Sequence, residues 1–136
     1  MRAVGRAALK ILLLTGRLAE PKVRDAARAC PSSYDLEVLV MPLDVAALAT
    51  PRSIASFLKG KIRPGDYDLI MVSGAVEGSL KIVEETVGVR TVKGPKHAVD
   101  IPLLLSVSDP QRFSSEVPAD LLLEREMRES AKRMLL

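Results

Sequence analysis

The stretch LKILLLTGR, residues 9–17, decides the fold, because a short apolar run ends in a threonine, a glycine and a cation. Three further β-prone runs follow at residues 36–41, 68–72 and 89–92, and each is followed by a turn and an amphipathic stretch. This alternation is typical of parallel strands covered by helices. The sequence therefore predicts an α/β fold with a four-stranded parallel sheet.

The stretches that follow these runs carry helix signals. Predicted helices cover residues 21–30, 51–59, 79–87, 101–107 and 118–135, and the last carries Leu123, Met127, Ala131 and Met134. The second has the clearest boundaries, since Thr50 suits an N-cap, Pro51 the first turn and Gly60 the end. Right-handed crossovers with helices on both faces favour strand order 2-1-3-4, in a three-layer α/β/α fold of the flavodoxin or Rossmann type.

The composition fits a single domain over residues 1–136. A chain of this length buries roughly two-thirds of the surface that its unfolded form exposes. Apolar residues make up 48% of the sequence and aromatic residues only 3%, so the core has to be built from aliphatic side chains. Such cores suit helices packed on a parallel sheet.

Charge and composition argue against several classes of partner. The chain has 20 basic and 17 acidic residues without a long run of like charge, and it nearly lacks the aromatics that stack on RNA or single strands. No stretch approaches the ~20 apolar residues of a membrane span. We therefore expect no nucleic-acid or membrane partner. The single cysteine, Cys30, fits a cytoplasmic protein, and the absence of asparagine indicates a thermophilic source.

The carboxyl ends of the predicted strands are the expected place for a ligand, since open parallel sheets bind ligands outside that edge. A glycine follows the first, third and fourth runs within two residues and lets backbone approach a ligand closely. Cations in the same loops favour a phosphate or a carboxylate. The candidate ligand-binding residues are Gly16, Arg17, Asp44, Gly74, Lys93, Gly94, Lys96 and Asp100, with His97 as the candidate catalytic residue.

Each candidate also has a purely structural interpretation. Short turns between strands and helices require glycine, and Arg17 could pair with Glu20 instead of a ligand. His97, the only histidine, suits a general acid or base, but it could equally contact Asp100 at a helix start. The sequence contains no phosphate-binding loop, dinucleotide fingerprint or hydrolase motif, and with one histidine and one cysteine we expect neither a metal nor a cofactor.

Four segments taken together resemble the amino-terminal domain of archaeal dihydropteroate synthase-like proteins. They are LLLTGRLAEP at 12–21, VLVMPLDVAAL at 38–48, DLIMVSG at 68–74 and TVKGPKHAVDIP at 91–102. In that family the region precedes a pterin-binding (β/α)8 barrel, which this sequence does not contain, and the region itself has no activity to carry over. The resemblance implies a link to the synthesis of folate-type or methanopterin-type cofactors, without synthase activity in this chain.

Three functions follow as hypotheses. The first is a non-catalytic accessory domain that binds a small anionic ligand at the carboxyl edge of the sheet. The second is a small enzyme that uses His97 as general acid or base on a phosphorylated or carboxylated substrate, with Asp44 or Asp100 as its partner. The third is a docking module for a pterin-binding barrel domain or for a second copy of the chain.

Overall fold

A computed structural model describes residues 8–135. The strands are β1 (Leu9–Thr15), β2 (Tyr34–Val40), β3 (Leu69–Val72) and β4 (Thr91–Lys93). They form one sheet in the order β2-β1-β3-β4, and all three pairings are parallel. The predicted sheet and its strand order are confirmed.

Helices cover both faces of this sheet. They are α1 (Glu20–Ala29), α2 (Pro51–Leu58), α3 (Lys81–Val87), α4 (Ile101–Val107) and α5 (Ala119–Leu135). Single 3₁₀ turns lie at Ala46–Leu48, Ala98–Asp100 and Pro110–Arg112. Each predicted helix is present, with its ends within two residues of the predicted ones, and the three-layer α/β fold is confirmed.

The central strands supply two apolar clusters, because successive side chains of a strand point to opposite faces of the sheet. Leu12 and Ile70 belong to the cluster on the face of α2 and α3. Ile11 and Met71 belong to the cluster on the face of α1 and α4. Burial on both faces explains why β3 is a continuous apolar run without the polar alternation of a half-exposed strand.

The start of α2 and the end of α3 are set by local preferences of single residues, which is why the sequence predicts both. Thr50 caps α2: the Ser53 N–H donates to Thr50 Oγ1 at 3.0 Å, and the Thr50 N–H donates to Ser53 Oγ at 2.9 Å. Helix α3 ends at Gly88, whose φ of 73° is a left-handed conformation that glycine adopts without a steric penalty. Both predicted boundaries are confirmed.

Helix α5 extends past the packed body of the domain. Leu123 packs partly against the face of α1 and α4, but every described side chain from Glu124 to Met134 is exposed. Of the apolar residues predicted for this helix, Leu123 contacts the core, whereas Met127 and Met134 are exposed. Within residues 8–135, neither α5 nor any other helix combines the length and apolar character that crossing a bilayer requires.

Candidate functional site at the carboxyl edge of the sheet

A cleft of about 190 Å³ opens between the carboxyl ends of β1 and β3, and we term it the edge cleft. Strand order reverses here, because the chain passes from β1 to β2 on one side and then crosses to β3 on the other. Much of the lining is apolar and includes Leu13, Val23, Met71 and Ile101. The polar lining residues are Thr15, Asp44, Ser73 and Lys96. The edge cleft thus lies where ligands bind in open parallel sheets.

The glycines of this edge pack against neighbouring loops. A Cβ on Gly16 would lie 2.7 Å from the Asp44 carbonyl oxygen, and one on Gly74 would lie 2.5 Å from the Gly94 carbonyl oxygen. A Cβ on Gly94 would lie 2.8 Å from Cγ of Met71. Close approach of protein groups to one another therefore accounts for all three glycines. Of the three, only Gly94 lines the edge cleft.

Backbone N–H groups in these loops are largely engaged by neighbouring loops. The N–H groups of Arg17 and Leu18 donate to the carbonyls of Leu43 and Asp44 at 2.9 and 3.0 Å. The Gly74 N–H donates to the carbonyl of Pro95 at 3.1 Å. These amides hold the loops around the edge cleft together, so an anion would depend mainly on side chains for its contacts.

Two of the predicted cations remain at the rim. Arg17 forms an ion pair with Asp44 at 3.2 Å between Nη1 and Oδ1, and both side chains are more than half exposed. The alternative pairing of Arg17 with Glu20 is wrong, because the Glu20 carboxylate accepts from Arg24 at 2.8 Å. Lys96 is exposed and lines the edge cleft. Since Arg17 is partly neutralised, Lys96 is the cation best placed for a ligand.

Lys93 lies apart from the edge cleft, in contrast to its predicted position beside Arg17 and Lys96. It is the last residue of β4 and not a loop residue, and its register partner is Val72. Val72 packs on the face of α2 and α3, so the pleat directs Lys93 to that face as well. Lys93 is 4% exposed. Burial lowers the pKa of its ammonium group, and the carboxylates of Glu116 and Glu77 partly oppose this effect.

This burial makes the stability of the fold depend on the charge of Lys93. Because the pKa is lower in the folded state, the unfolded state binds more protons between the two pKa values, and stability rises as the pH rises through the interval that ends at the ordinary lysine pKa. We expect Lys93→Met to remove this dependence and to raise the free energy of unfolding at neutral pH by on the order of 1 kcal/mol, because the variant no longer buries an ammonium group. Chemical denaturation of both proteins at neutral and alkaline pH measures the effect, and a less stable variant would contradict this account.

His97 and Asp100 lie beside the edge cleft without lining it. His97 is exposed and lines a neighbouring, more open groove of about 750 Å³ beside α1, which Lys96 also borders. The Asp100 N–H donates to the His97 carbonyl at 3.0 Å. Among the hydrogen bonds of the described residues, none joins the two side chains. His97 therefore has no acid–base partner at hydrogen-bonding distance in the described part of the chain.

Sequence reasoning missed two hydroxyl residues of the edge cleft, Thr15 and Ser73. Each comes directly before a glycine at the end of a central strand, and this repeated position was the available signal. Thr15 Oγ1 donates to the Gly16 carbonyl at 3.3 Å, and Ser73 Oγ accepts from the Ala75 N–H at 3.2 Å.

Within residues 8–135, no group of three or more acidic, histidine or cysteine side chains is placed to hold a metal ion.

The DUF6513 family, a family of unknown function, matches residues 9–96 of the chain. The chain belongs to this family. The matched region includes all four strands and the loops that form most of the edge cleft. Helices α4 and α5 follow after the matched region.

A longer relative is the uncharacterized protein MJ0107 of Methanocaldococcus jannaschii, which is 38% identical over 125 residues. The match covers 87% of this chain but 23% of the relative, so the chain spans about a quarter of that protein's length. No solved structure matches the chain at a significant level.

Proposed function

We propose that the chain is a non-catalytic accessory domain that binds one small ligand in the edge cleft. The supporting observation is the position of the edge cleft at the reversal of strand order between β1 and β3. Apolar side chains such as Leu13, Met71 and Ile101 suit a flat ring body, and Lys96 suits an attached anionic group. The position of His97 outside this cleft favours binding over catalysis.

A pterin or pterin phosphate is the ligand class that we infer. The resemblance of four segments to dihydropteroate synthase-like proteins supports it, as does a cleft that combines apolar walls with a few polar groups. Thr15, Ser73 and Asp44 offer hydroxyl and carboxylate groups to the polar edge of a pterin ring. Under this proposal, the chemistry on the pterin would reside in other domains of longer relatives, and this domain would hold the ligand.

Thermal and chemical denaturation of the chain in the presence of pterins, pterin phosphates and nucleotides tests the proposal. A compound at ~100 times its dissociation constant adds about 2.7 kcal/mol to the free energy of unfolding. We expect a pterin phosphate to stabilise the wild-type protein and expect Lys96→Gln to remove most of that gain, because the variant loses the cation facing the anionic group.

Lys59→Gln is the matched control, because Lys59 is an exposed lysine directly after α2. Helix α2 runs from the carboxyl edge back to the opposite edge of the sheet, so Lys59 lies away from the edge cleft. We expect this variant to keep the full ligand stabilisation. If no compound in the panel stabilises the wild-type protein, or if both variants lose the effect equally, the proposed anionic ligand is wrong. The docking hypothesis would then take its place.

A further inference from the structure

Helix α5 carries an apolar stripe that the rest of the described chain leaves uncovered. Met127 and Met134 are 64% and 85% exposed, and the half-buried Leu123 continues the stripe towards the body. Leu123, Met127, Ser130 and Met134 are separated by four, three and four residues, which is the a/d spacing of a coiled coil. A helical segment of about three turns gains most of its stability from packing and little from intrinsic helix propensity. We therefore expect another surface to cover this stripe.

The stripe is continuous with exposed apolar residues on the body of the domain. Val107, at the end of α4, lines one groove together with Leu122 and Leu123 of α5. Leu103 lies one turn before Val107 and is 62% exposed. We term this continuous area the α4/α5 surface, and it comprises Leu103, Val107, Leu122, Leu123, Met127 and Met134.

The charges beside the stripe identify the partner. With Met127 and Met134 at a positions and Leu123 and Ser130 at d positions, Glu126 and Arg133 both occupy g positions. In an antiparallel pair of helices, g residues face g residues of the other helix. In one such register, each a residue packs against a d residue of the second copy. This register places Glu126 of each copy opposite Arg133 of the other.

Two further observations agree with this pairing. Among the described residues, neither Glu126 nor Arg133 takes part in an ion pair, whereas Glu124 and Arg128 are joined at 2.9 Å. The last turn of α5 is basic at Lys132 and Arg133. In the antiparallel register this turn lies opposite Glu124 and Glu126 of the second copy, and the antiparallel arrangement also aligns the two helix dipoles favourably.

We propose that the α4/α5 surface is a self-association surface, through which two copies of the chain pair with their α5 helices antiparallel. A second copy is the occupant because the charge pattern is complementary to its own image under a two-fold axis. The contact covers few turns of helix, so we expect a reversible dimer that dissociates on dilution.

Sedimentation velocity of the full chain over a concentration series tests this proposal. We expect the wild-type protein to change from monomer to dimer as concentration rises. Glu126→Arg should weaken the association by about tenfold or more, because each copy then sets an arginine against Arg133 of the other. The double variant Glu126→Arg with Arg133→Glu should recover it, since the two charges are merely exchanged.

Glu129→Arg is the control, because Glu129 occupies the c position of the same helix, away from the stripe, and its reversal should leave the association unchanged. Circular dichroism of each variant verifies that α5 is retained. A chain that stays monomeric at every concentration would overturn the proposal. Dimers that tolerate Glu126→Arg, or that the exchanged double variant does not recover, would overturn it as well.

Discussion

Replacement of Gly74 by alanine is expected to lower the free energy of unfolding by about 3 kcal/mol. The new Cβ would lie 2.5 Å from the Gly94 carbonyl oxygen and 2.9 Å from Cβ of Pro118. The Gly94 carbonyl cannot move freely, because it accepts a hydrogen bond from the Ala119 N–H at 3.1 Å at the start of α5. Overpacking typically costs about 1–3 kcal/mol, and a contact with two anchored segments belongs at the upper end.

Gly65→Ala is the matched control for this prediction. Nothing lies within 4 Å of the position that its Cβ would occupy, so only the backbone φ of +94° opposes the substitution. We expect a smaller loss of about 1 kcal/mol from that conformational preference. Chemical denaturation of both variants gives the comparison. Equal losses of unfolding free energy in the two variants would contradict this account, because they would show that Gly74 is not required by the close approach of the Gly94 backbone.

Ala47→Phe is expected to abolish ligand stabilisation altogether. Ala47 is exposed and lines the edge cleft, so an aromatic ring there can occupy a cleft of about 190 Å³ without disturbing the core. The gain of about 2.7 kcal/mol that a ligand gives at ~100 times its dissociation constant should disappear. The stability of the unliganded protein should stay within about 0.5 kcal/mol of the wild-type value. Denaturation with and without the panel's most stabilising compound measures both quantities.

Ser56→Phe adds the same ring at an exposed position of α2 and should retain the whole ligand effect. This control separates blockage of the edge cleft from a general consequence of an added aromatic side chain. If Ala47→Phe binds the compound as the wild-type protein does, the ligand occupies a different place on the molecule.

The sheet could be predicted from sequence because its signals are local. Each central strand is apolar on both faces. The run in β3, Leu69–Val72, is apolar at every position, which is typical of a central strand covered by helices on both faces of the sheet. Thr50 and Gly88 marked helix ends through their own backbone preferences. Strand order then followed from the handedness of the crossovers, a rule that applies to the whole class of fold.

The chemistry of the edge could be predicted only in part, because it depends on contacts between distant segments. Lys93 illustrates this: β4 ends one residue later than predicted, so Lys93 belongs to the sheet, and the side-chain period of two directs it to the face of α2 and α3. The ion pair of Arg17 with Asp44 joins residues 27 positions apart, and no local pattern announces it. The engaged N–H groups of Arg17 and Leu18 depend on the same distant loop.

The central claim, that a ligand binds between the ends of β1 and β3, is tested most directly by amide chemical shifts. ¹⁵N-labelled protein would be titrated with the most stabilising compound of the pterin and nucleotide panel. We expect the largest shifts in residues 15–18, 73–75 and 94–98, which flank the edge cleft. Shifts confined to α5 or to the opposite edge of the sheet would contradict this claim.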